Sequence, residues 1–507
     1  ERLIMKTLVL FVLVLGIVGC VPQNMIAPKG MLPEVCQNFK AEDPDALSDT
    51  YAANRAFWQS FNNYYEANKD KGPKKLAVFM DGTGNDKSKR TNVRKMYRLA
   101  VEQACHGVPV VPYYDKGVGA KWFDRVRGGL AGRGTSLNIR QAYRFLVESY
   151  NTNDEIYLIG FSRGAFTARS LNGFIELAGL LDRATVEHKW YEILPLPGFS
   201  NMHFTVSDLY DTYQQNFSGK IGFESRLQQD LKDIMDSRGV KAYSNNVEVA
   251  AIGVFDTVPA LGLFRDDEPD DHRLGLYAKK GFHALSLDEQ RDDFRLLRFD
   301  PFKAKQGSEL REVWFAGVHS DIGGSYSYSF NCQEVQHDTR KPYKPGLGTT
   351  TLNWMLRNFE GTGIFAARDP YDECANGSLH DEFFESWPIL YKWFTLGTFP
   401  RAPRPGDWIH GSVVQRLAIS SLPDAHKERE VHPESNEKQY SFLGMQGEAA
   451  LSRYFPRDSK TGVYREDMFF ICDSIRPNPA SNHVTTRPVS AIFDSHDTKC
   501  SFNRGPK

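Results

Sequence analysis

Residues 155–169 read EIYLIGFSRGAFTAR, which is the order of a buried strand, a sharp turn and the start of a helix. The apolar run 156–159 is short and unbroken, as in a strand that helices cover on both faces. Gly160 to Gly164 then match G-x-S-x-G, in which a serine occupies the turn between strand and helix. Glycines suit this turn because the strand and the helix pass too close for Cβ atoms. We therefore predict that Ser162 is a nucleophile on a strand–turn–helix elbow.

Strand and helix patterns alternate on both sides of this elbow. Apolar runs at 76–80 and 108–114 predict strands, and a stripe of apolar residues at helical spacing follows each of them. Further strand patterns occupy residues 247–254 and 311–318. This alternation favours a parallel sheet with right-handed crossover helices. We predict an α/β fold of the α/β-hydrolase type, with a mostly parallel sheet flanked by helices.

The chain divides into four predicted regions. We predict a signal peptide with a lipobox over residues 1–19, then a tether and an N-terminal helix over residues 20–73. The hydrolase domain is predicted over residues 74–420, and a C-terminal extension over residues 421–507. A polar insertion at about 182–246 would lie above the carboxyl edge of the sheet. It is either a lid over the site or a surface excursion with no role in access.

The first twenty residues have the composition of a bacterial targeting segment. A basic start precedes an apolar stretch, residues 8–18, which is too short to span a bilayer. The stretch ends at Cys20 in a pattern that resembles a lipobox, where cleavage before the cysteine leaves it N-terminal and lipidated. Val21, not an aspartate, follows it, and we predict a lipid-anchored protein of the outer membrane that faces the periplasm. The alternative is an ordinary signal peptide with an unrelated cysteine.

Composition narrows the functional classes. Hydrophobic residues make up 41% of the 507 residues and charged residues 25%, as in an ordinary globular protein. The formal net charge is −1, so the overall charge does not point to nucleic acid as a partner. Seven cysteines include Cys20, and the others permit several disulfide pairings in an oxidising compartment. The sequence holds no C-x-x-C pair, which argues against a zinc ribbon, and we predict no metal and no cofactor.

Two further candidates follow the ends of predicted strands. A serine hydroxyl needs a base within hydrogen-bond reach, and that base needs a carboxylate to orient it. Asp256 and His319 each follow an apolar strand pattern, in the chain order Ser, Asp, His that is typical of this fold. We predict Ser162 as the nucleophile, His319 as general base and then general acid, and Asp256 as the orienting carboxylate.

The loop after the first predicted strand has two possible uses. Its backbone N–H groups at Gly82 or Thr83 are predicted to complete an oxyanion hole together with the N–H of Arg163. Residues 79–83 also resemble the D-x-D-G-T motif of the haloacid dehalogenase phosphatases. Phe79 stands where that motif has its nucleophilic aspartate, so the phosphatase interpretation fails at its essential atom.

Other histidines and a metal site are alternatives to this arrangement. His410 is the alternative base because it also follows an apolar dipeptide, but the strand pattern before His319 is longer and more apolar. His283 ranks lower, since its surroundings look polar or helical. A metal site from His319 and the carboxylates at strand ends is geometrically conceivable, but nothing in their spacing is specific for a metal.

Several separate motifs recur, in this order, in one protein family. They are DGT at 81–83, TNV at 91–93, GFSRGA at 160–165, FDTV at 255–258 and the stretch 313–324. From about Lys75 to Val414 the chain resembles the uncharacterised α/β-hydrolase domain family that includes the type VI secretion phospholipase effectors. The resemblance implies a lipase-type esterase with a Ser-Asp-His triad and, for the best-known members, cleavage of phospholipid acyl esters.

We therefore predict a serine esterase that hydrolyses carboxylic esters through an acyl-enzyme, with phospholipid as substrate and the membrane as partner through Cys20. Secreted effectors are not expected to carry a lipobox, so the tether points to envelope lipid housekeeping or to another acyl ester. Two alternatives stay open. One is an esterase or thioesterase with a different substrate, and the other is an envelope lipoprotein that keeps the fold only for binding.

Overall fold

The structure is a computed structural model of the chain. It describes residues 31–37, 51–69, 72–82, 90–117, 129–186, 201–215, 223–244, 247–259, 275–289, 291, 294–326, 345–366, 371–374, 377, 401, 403, 407–413 and 469–472. The predicted signal peptide, Cys20 and Thr83 lie outside these residues. None of the helices in the described ranges is both long and apolar enough to cross a membrane.

The described strands form a single sheet. They are β1 (Lys75–Met80), β2 (Val110–Asp115), β3 (Glu155–Phe161), β4 (Val249–Phe255), β5 (Lys280–Ser286), β6 (Glu309–Phe315), β7 (Asp407–His410) and β8 (Phe469–Cys472). The strand order is β2-β1-β3-β4-β5-β6-β7-β8, and every neighbouring pair runs parallel. All carboxyl ends therefore point to one side, which we call the carboxyl edge.

Helices cover both faces of the sheet. They are α1 (Tyr51–Ala67), α2 (Asn92–Cys105), α3 (Gly129–Ser149), α4 (Arg163–Ala178), α5 (Asn201–Gln215), α6 (Phe223–Arg238), α7 (His319–Ile322) and α8 (Leu347–Asn358). The chain moves outward from β1 to β2 and then returns past β1 to β3, so right-handed crossovers place α2 and α3 on opposite faces. In agreement, α2 packs with α8, and α3 packs with α4. The predicted fold, a parallel sheet flanked by helices, is confirmed.

The order in which strands are added to the sheet reverses between β1 and β3, and this switch point positions the site. Ligand crevices in open α/β sheets form outside the carboxyl ends of the strands at such a switch point. Residues Leu76 to Phe79 of β1 and Ile156 to Ile159 of β3 are all buried in the core. The loops that follow these two strands, at Gly82 and Ser162, therefore begin at buried strand ends.

β5 is a strand that the sequence analysis did not predict. Lys280, His283 and Ser286 interrupt its apolar pattern, yet the strand is buried from its second residue onward. The ring of His283 is satisfied inside the core, because Nδ1 contacts Glu312 at 2.9 Å and Nε2 accepts the N–H of Thr257 at 3.1 Å. The interpretation of the His283 surroundings as polar or helical is therefore wrong, since this residue is a buried strand histidine.

The predicted insertion contributes α5 and α6, which pack on α3 and α4. Apolar side chains of these two helices, such as Tyr213 and Leu231, are fully buried. The described part of the insertion thus adds an outer helical layer on one face, and a lid role stays a prediction. At the far end of the sheet, β8 falls within the predicted C-terminal extension and pairs with β7.

The N-terminal region is fastened to the domain at several points. A disulfide joins Cys36 to Cys105, at the end of α2. The amide of Asn54 in α1 donates to the carbonyl of Tyr114 at 2.7 Å, and the hydroxyl of Tyr65 donates to the carbonyl of Ala104 at 2.9 Å. Both contacts hold α1 along β2 and α2. The sequence left the cysteine pairing open, and the structure assigns this pair.

Candidate active site

Ser162 occupies a strained turn between β3 and α4. Its backbone has φ 59° and ψ −128°, in the left-handed half of conformational space that non-glycine residues rarely adopt. A Cβ on Gly160 would lie 2.6 Å from the Cα of Ala165, and one on Gly164 would lie 2.5 Å from the carbonyl oxygen of Asp81. Both glycines therefore permit the close approach that presents the serine at the carboxyl edge.

The structure brings Ser162, His319 and Asp256 into one hydrogen-bonded chain. His319 Nε2 lies 2.8 Å from Ser162 Oγ, and His319 Nδ1 lies 2.6 Å from Asp256 Oδ2. An ionised carboxylate only accepts, so Nδ1 carries the proton and Nε2 is the acceptor for the serine hydroxyl. This is the tautomer that a general base needs in order to take the proton of the serine.

Asp256 is completely buried and remains ionised. Burial raises the pKa of its carboxyl group, but the nearby Arg401 guanidinium and His319 outweigh burial and hold the pKa well below its usual range. Arg401 Nη1 donates to Oδ1 at 2.5 Å, and the backbone N–H of Ser286 donates to the same oxygen at 2.9 Å. Oδ2 faces His319. The two oxygens of this carboxylate therefore have separate partners.

Contacts of the backbone and of the ring hold His319 in place. The backbone N–H of His319 donates to Glu289 Oε2 at 3.2 Å, and the rings of Phe161 and Phe294 lie 4.7 and 4.9 Å from the imidazole centre. Burial raises the pKa of Glu289, but its ion pair with Arg291 outweighs this and keeps the pKa below its usual value. An ionised acceptor thus fixes the position of His319 at the start of α7.

Of the predicted oxyanion-hole residues, Arg163 lies on the elbow and Gly82 lies in the loop after β1, whereas Thr83 is outside the described residues. Arg163 is the first residue of α4, where backbone N–H groups point out of the helix end. The N–H of Gly82 donates to Oδ1 of Asp81 at 2.7 Å, and the other oxygen of that carboxylate accepts from Tyr114 at 2.8 Å. In this state the Gly82 N–H is engaged within its own loop, so Gly82 would have to release Asp81 to bind an oxyanion.

His410, the alternative base, lies at the end of β7. Its Nδ1 contacts the hydroxyl of Ser412 at 2.9 Å, and its ring stacks on Phe315 at a centroid distance of 4.5 Å. Burial, assisted by the charge of Arg357, lowers the pKa of His410 to about 3. The structure therefore brings His319, not His410, to the serine. Over the described part of the chain, no three His, Cys, Asp or Glu side chains are grouped as ligands of a metal ion.

Arg401, Glu289 and Ser286 complete the site and were not predicted from sequence. Ser286 is the last residue of β5, the strand whose pattern was missed, and Glu289 follows in the loop after it. Arg401 lies in a proline-rich stretch that carries no periodic pattern. A charged residue among prolines next to a strand was the only local signal, and it does not identify a partner.

Comparison with known families places most of this site in a single match. A sequence profile described as "T6SS, Phospholipase effector Tle1-like, catalytic domain" matches residues 74–358. The match covers more than half of the 507 residues and includes Ser162, Asp256 and His319. Arg401 and His410 lie beyond its end.

Individual relatives are more distant. The chain is 28% identical to the uncharacterized protein YEL023C of Saccharomyces cerevisiae over 253 residues, which is 45% of this chain and 33% of the yeast protein. An uncharacterized protein from Pseudomonas aeruginosa matches at 15% identity and a TM-score of 0.29, over 67% of this chain and 51% of that chain. The Tle1 effector bound to the VgrG spike of the type 6 secretion system matches at 16% identity and a TM-score of 0.22, over 50% of this chain and 52% of that chain. The chain therefore spans a third of the yeast protein and about half of each solved chain.

Proposed function

Because the chain belongs to the family of Tle1-like phospholipase effector catalytic domains, we propose that it is a serine esterase that hydrolyses phospholipid acyl esters through an acyl-enzyme. The observation that carries the proposal is the hydrogen-bonded chain from Ser162 Oγ through His319 to Asp256. The serine of this hydrogen-bonded triad lies on an elbow turn at the switch point of a parallel sheet, where a substrate crevice is expected.

In the first half of the proposed reaction, Ser162 Oγ attacks the acyl carbonyl while His319 Nε2 takes the serine proton. Asp256 stays ionised and stabilises the imidazolium that forms. Backbone N–H groups at Arg163 and in the loop after β1 would stabilise the oxyanion. His319 then gives its proton to the departing alcohol oxygen, so that lysophospholipid leaves and the acyl group remains as an ester on Ser162.

In the second half, water replaces the alcohol. His319 takes a proton from the water as its oxygen attacks the acyl-enzyme carbonyl, and then returns that proton to Ser162 Oγ as the ester bond breaks. Free fatty acid leaves, and the serine hydroxyl is restored. The burial of the three side chains strengthens each of these electrostatic steps, since fewer water dipoles compete with the protein groups.

We propose further that the protein acts in the cell envelope, anchored by a lipid at Cys20. The Cys36–Cys105 disulfide supports an oxidising compartment, because such bonds are rare in reducing cytosol. The test is metabolic labelling with a radioactive fatty acid and fractionation of the full chain and of Cys20→Ala. We expect label and membrane association only with the cysteine, and label retained by Cys20→Ala would contradict the anchor.

The catalytic proposal is tested with a mixed phospholipid extract and with a fluorophosphonate probe, which reacts only with an activated serine. We expect the wild type to release lysophospholipid and fatty acid and to take up the probe, and Ser162→Ala to do neither. If short esters are cleaved but phospholipids are not, the nucleophile is correct and the substrate is another ester or thioester. If Ser162→Ala matches the wild type on every ester, the catalytic proposal is wrong.

A further inference from the structure

Asp256 uses its two carboxylate oxygens for different tasks. Oδ2 faces His319 Nδ1 at 2.6 Å, whereas Oδ1 accepts from Arg401 Nη1 at 2.5 Å and from the Ser286 N–H at 2.9 Å. Two donors from different directions fix Oδ1, and the planar carboxylate then has one remaining orientation for Oδ2. The direction in which the acid faces the imidazole is therefore set from its other side.

Arg401 is itself held in place. Its guanidinium donates to the carbonyl of Ser286 at 3.2 Å and to the carbonyl of Phe294. The side chain is only 4% exposed. The ring of Phe294 packs against the His319 ring in a T-shaped arrangement, so Arg401 contacts both the carboxylate and a residue that packs on the imidazole. A planar guanidinium with several donors can hold such divergent acceptors, whereas a lysine ammonium cannot reproduce the fork.

The charge of Arg401 has a second consequence. A carboxylate removed from water favours its neutral form, and neutral Asp256 could not stabilise an imidazolium at His319. Arg401 is the cation in direct contact with it. Among the described residues near this centre, His283 on β5 and Glu289 after it also carry titratable groups; burial lowers the pKa of His283, and Glu289 is paired with Arg291. Arg401 therefore supplies the positive charge that keeps the buried acid ionised.

We propose that Arg401 is a positioning residue of the active site, which keeps Asp256 ionised and turned toward His319. The inference rests on the proposed serine esterase function and deepens it. Because Arg401 lies beyond residue 358, where the family match ends, the catalytic unit of this chain extends at least to this arginine. The segment after α8 thus contributes to the reaction as well as to the sheet.

The test compares Arg401→Met, Arg401→Lys and Lys74→Met in the full chain. Lys74 is a matched control. Its ammonium forms an ion pair with Asp154 at 3.0 Å that is about as deeply buried as the Arg401–Asp256 pair, but it lies at the amino ends of the strands, on the side opposite to the carboxyl edge. For each protein, kcat/KM for p-nitrophenyl butyrate is measured from acid to neutral pH, and thermal unfolding is recorded in parallel.

We expect Arg401→Met to lose about 100-fold in kcat/KM at neutral pH. We also expect the acidic limb of its profile to move to higher pH by about one unit, because loss of the cation favours protonation of the coupled Asp256–His319 pair. Arg401→Lys keeps the charge but not the fork, so it should keep the wild-type limb with a lower kcat and an unchanged KM. Lys74→Met should lower the unfolding temperature and leave the limb in place.

The inference is overturned if the acidic limb of the kcat/KM profile of Arg401→Met lies at the same pH as in the wild type, whatever the stability of the variant. If Arg401→Met does not fold, Arg401→Lys decides, and a wild-type kcat in that variant overturns the positioning role. The proposed function fails in a different way. A wild type that neither cleaves the ester nor takes up a fluorophosphonate probe overturns the function and this inference together, whereas an active wild type with an equally active Arg401→Met overturns the inference alone.

Discussion

The backbone of Gly164, in the first turn of α4, lies so close to the carbonyl oxygen of Met80, at the end of β1, that no side chain fits between them. The contact joins the elbow to the neighbouring strand and so fixes where Ser162 stands relative to the loop after β1. It also explains why residue 164 is a glycine although its φ is not in the left-handed region.

Gly164→Ala should therefore disrupt the elbow. The added Cβ meets backbone atoms that cannot rotate away, and we expect a loss of about 3 kcal/mol in the free energy of unfolding together with loss of fluorophosphonate labelling. Gly361→Ala is the control, because a Cβ there meets no atom and only the positive φ of 81° is strained, at about 1–2 kcal/mol. Equal losses in denaturant unfolding of the two variants would contradict the steric explanation.

The two candidate bases give a direct comparison. His319→Asn removes the proton acceptor of Ser162, and we expect kcat/KM for a soluble ester to fall by about 10⁴-fold. His410→Asn removes a buried ring that stacks on Phe315 and contacts Ser412, so it should lower the unfolding temperature and keep most of the activity. An inactive but folded His410→Asn, with an active His319→Asn, would reverse the assignment.

The Glu312 carboxyl group predicts an acid-dependent loss of stability. Burial raises its pKa, but contacts with His283 and Arg298 outweigh burial and lower the pKa from 4.5 to about 2. A depressed folded-state pKa gives stability that is fully present above pH 4.5 and is lost as the pH falls from there toward 2. The contribution is at most about 3 kcal/mol.

The measurement is the free energy of unfolding at a series of acid pH values for the wild type, Glu312→Gln and Glu309→Gln. Glu309 is the matched control on the same strand, because it is 31% exposed and pairs only with Arg311 among the contacts described for it. We expect Glu312→Gln to flatten the fall in stability across this window and Glu309→Gln to leave it unchanged. Parallel curves for all three proteins would show that Glu312 is not the group responsible.

The Cys36–Cys105 disulfide should stabilise the fold without serving catalysis. It closes a loop across 69 residues, for which chain entropy gives a stabilisation of about 4 kcal/mol. Cys36→Ser/Cys105→Ser should unfold at lower denaturant concentration and still react with a fluorophosphonate, since the bond lies at the end of α2 away from Ser162. Reductant should destabilise the wild type more than this variant. An equal effect of reductant on both proteins would contradict the assigned role of this bond.

Local patterns predicted the parts of this molecule that depend on neighbouring residues. The run 156–159, the two glycines and the helical stripe after them lie within one short stretch, so strand, turn and helix could be read together. Asp256 and His319 could be proposed because each follows an apolar run, and parallel strands bring such positions to one edge. The structure places both beside Ser162, and their catalytic roles remain predictions.

The remaining features depend on contacts between distant residues. β5 was missed because His283 and Ser286 break its apolar pattern. The buried His283 ring is satisfied by Glu312, and the buried Ser286 hydroxyl donates to the carbonyl of Gly317. Arg401 could not be assigned because its acceptor lies 145 positions earlier in the chain. A buried ion pair of this kind leaves no periodic signal in either segment.

The most direct measurement is to trap the acyl-enzyme. The full chain is mixed with a phosphatidylcholine of uniform acyl chains, quenched in acid within the first turnover, and digested for peptide mass spectrometry. We expect the mass of one acyl group on the peptide that contains Ser162, absent from Ser162→Ala and greatly reduced in His319→Asn. Lysophospholipid formed at the wild-type rate by Ser162→Ala, or an acyl group attached to a different residue, would contradict the proposal that Ser162 is the nucleophile.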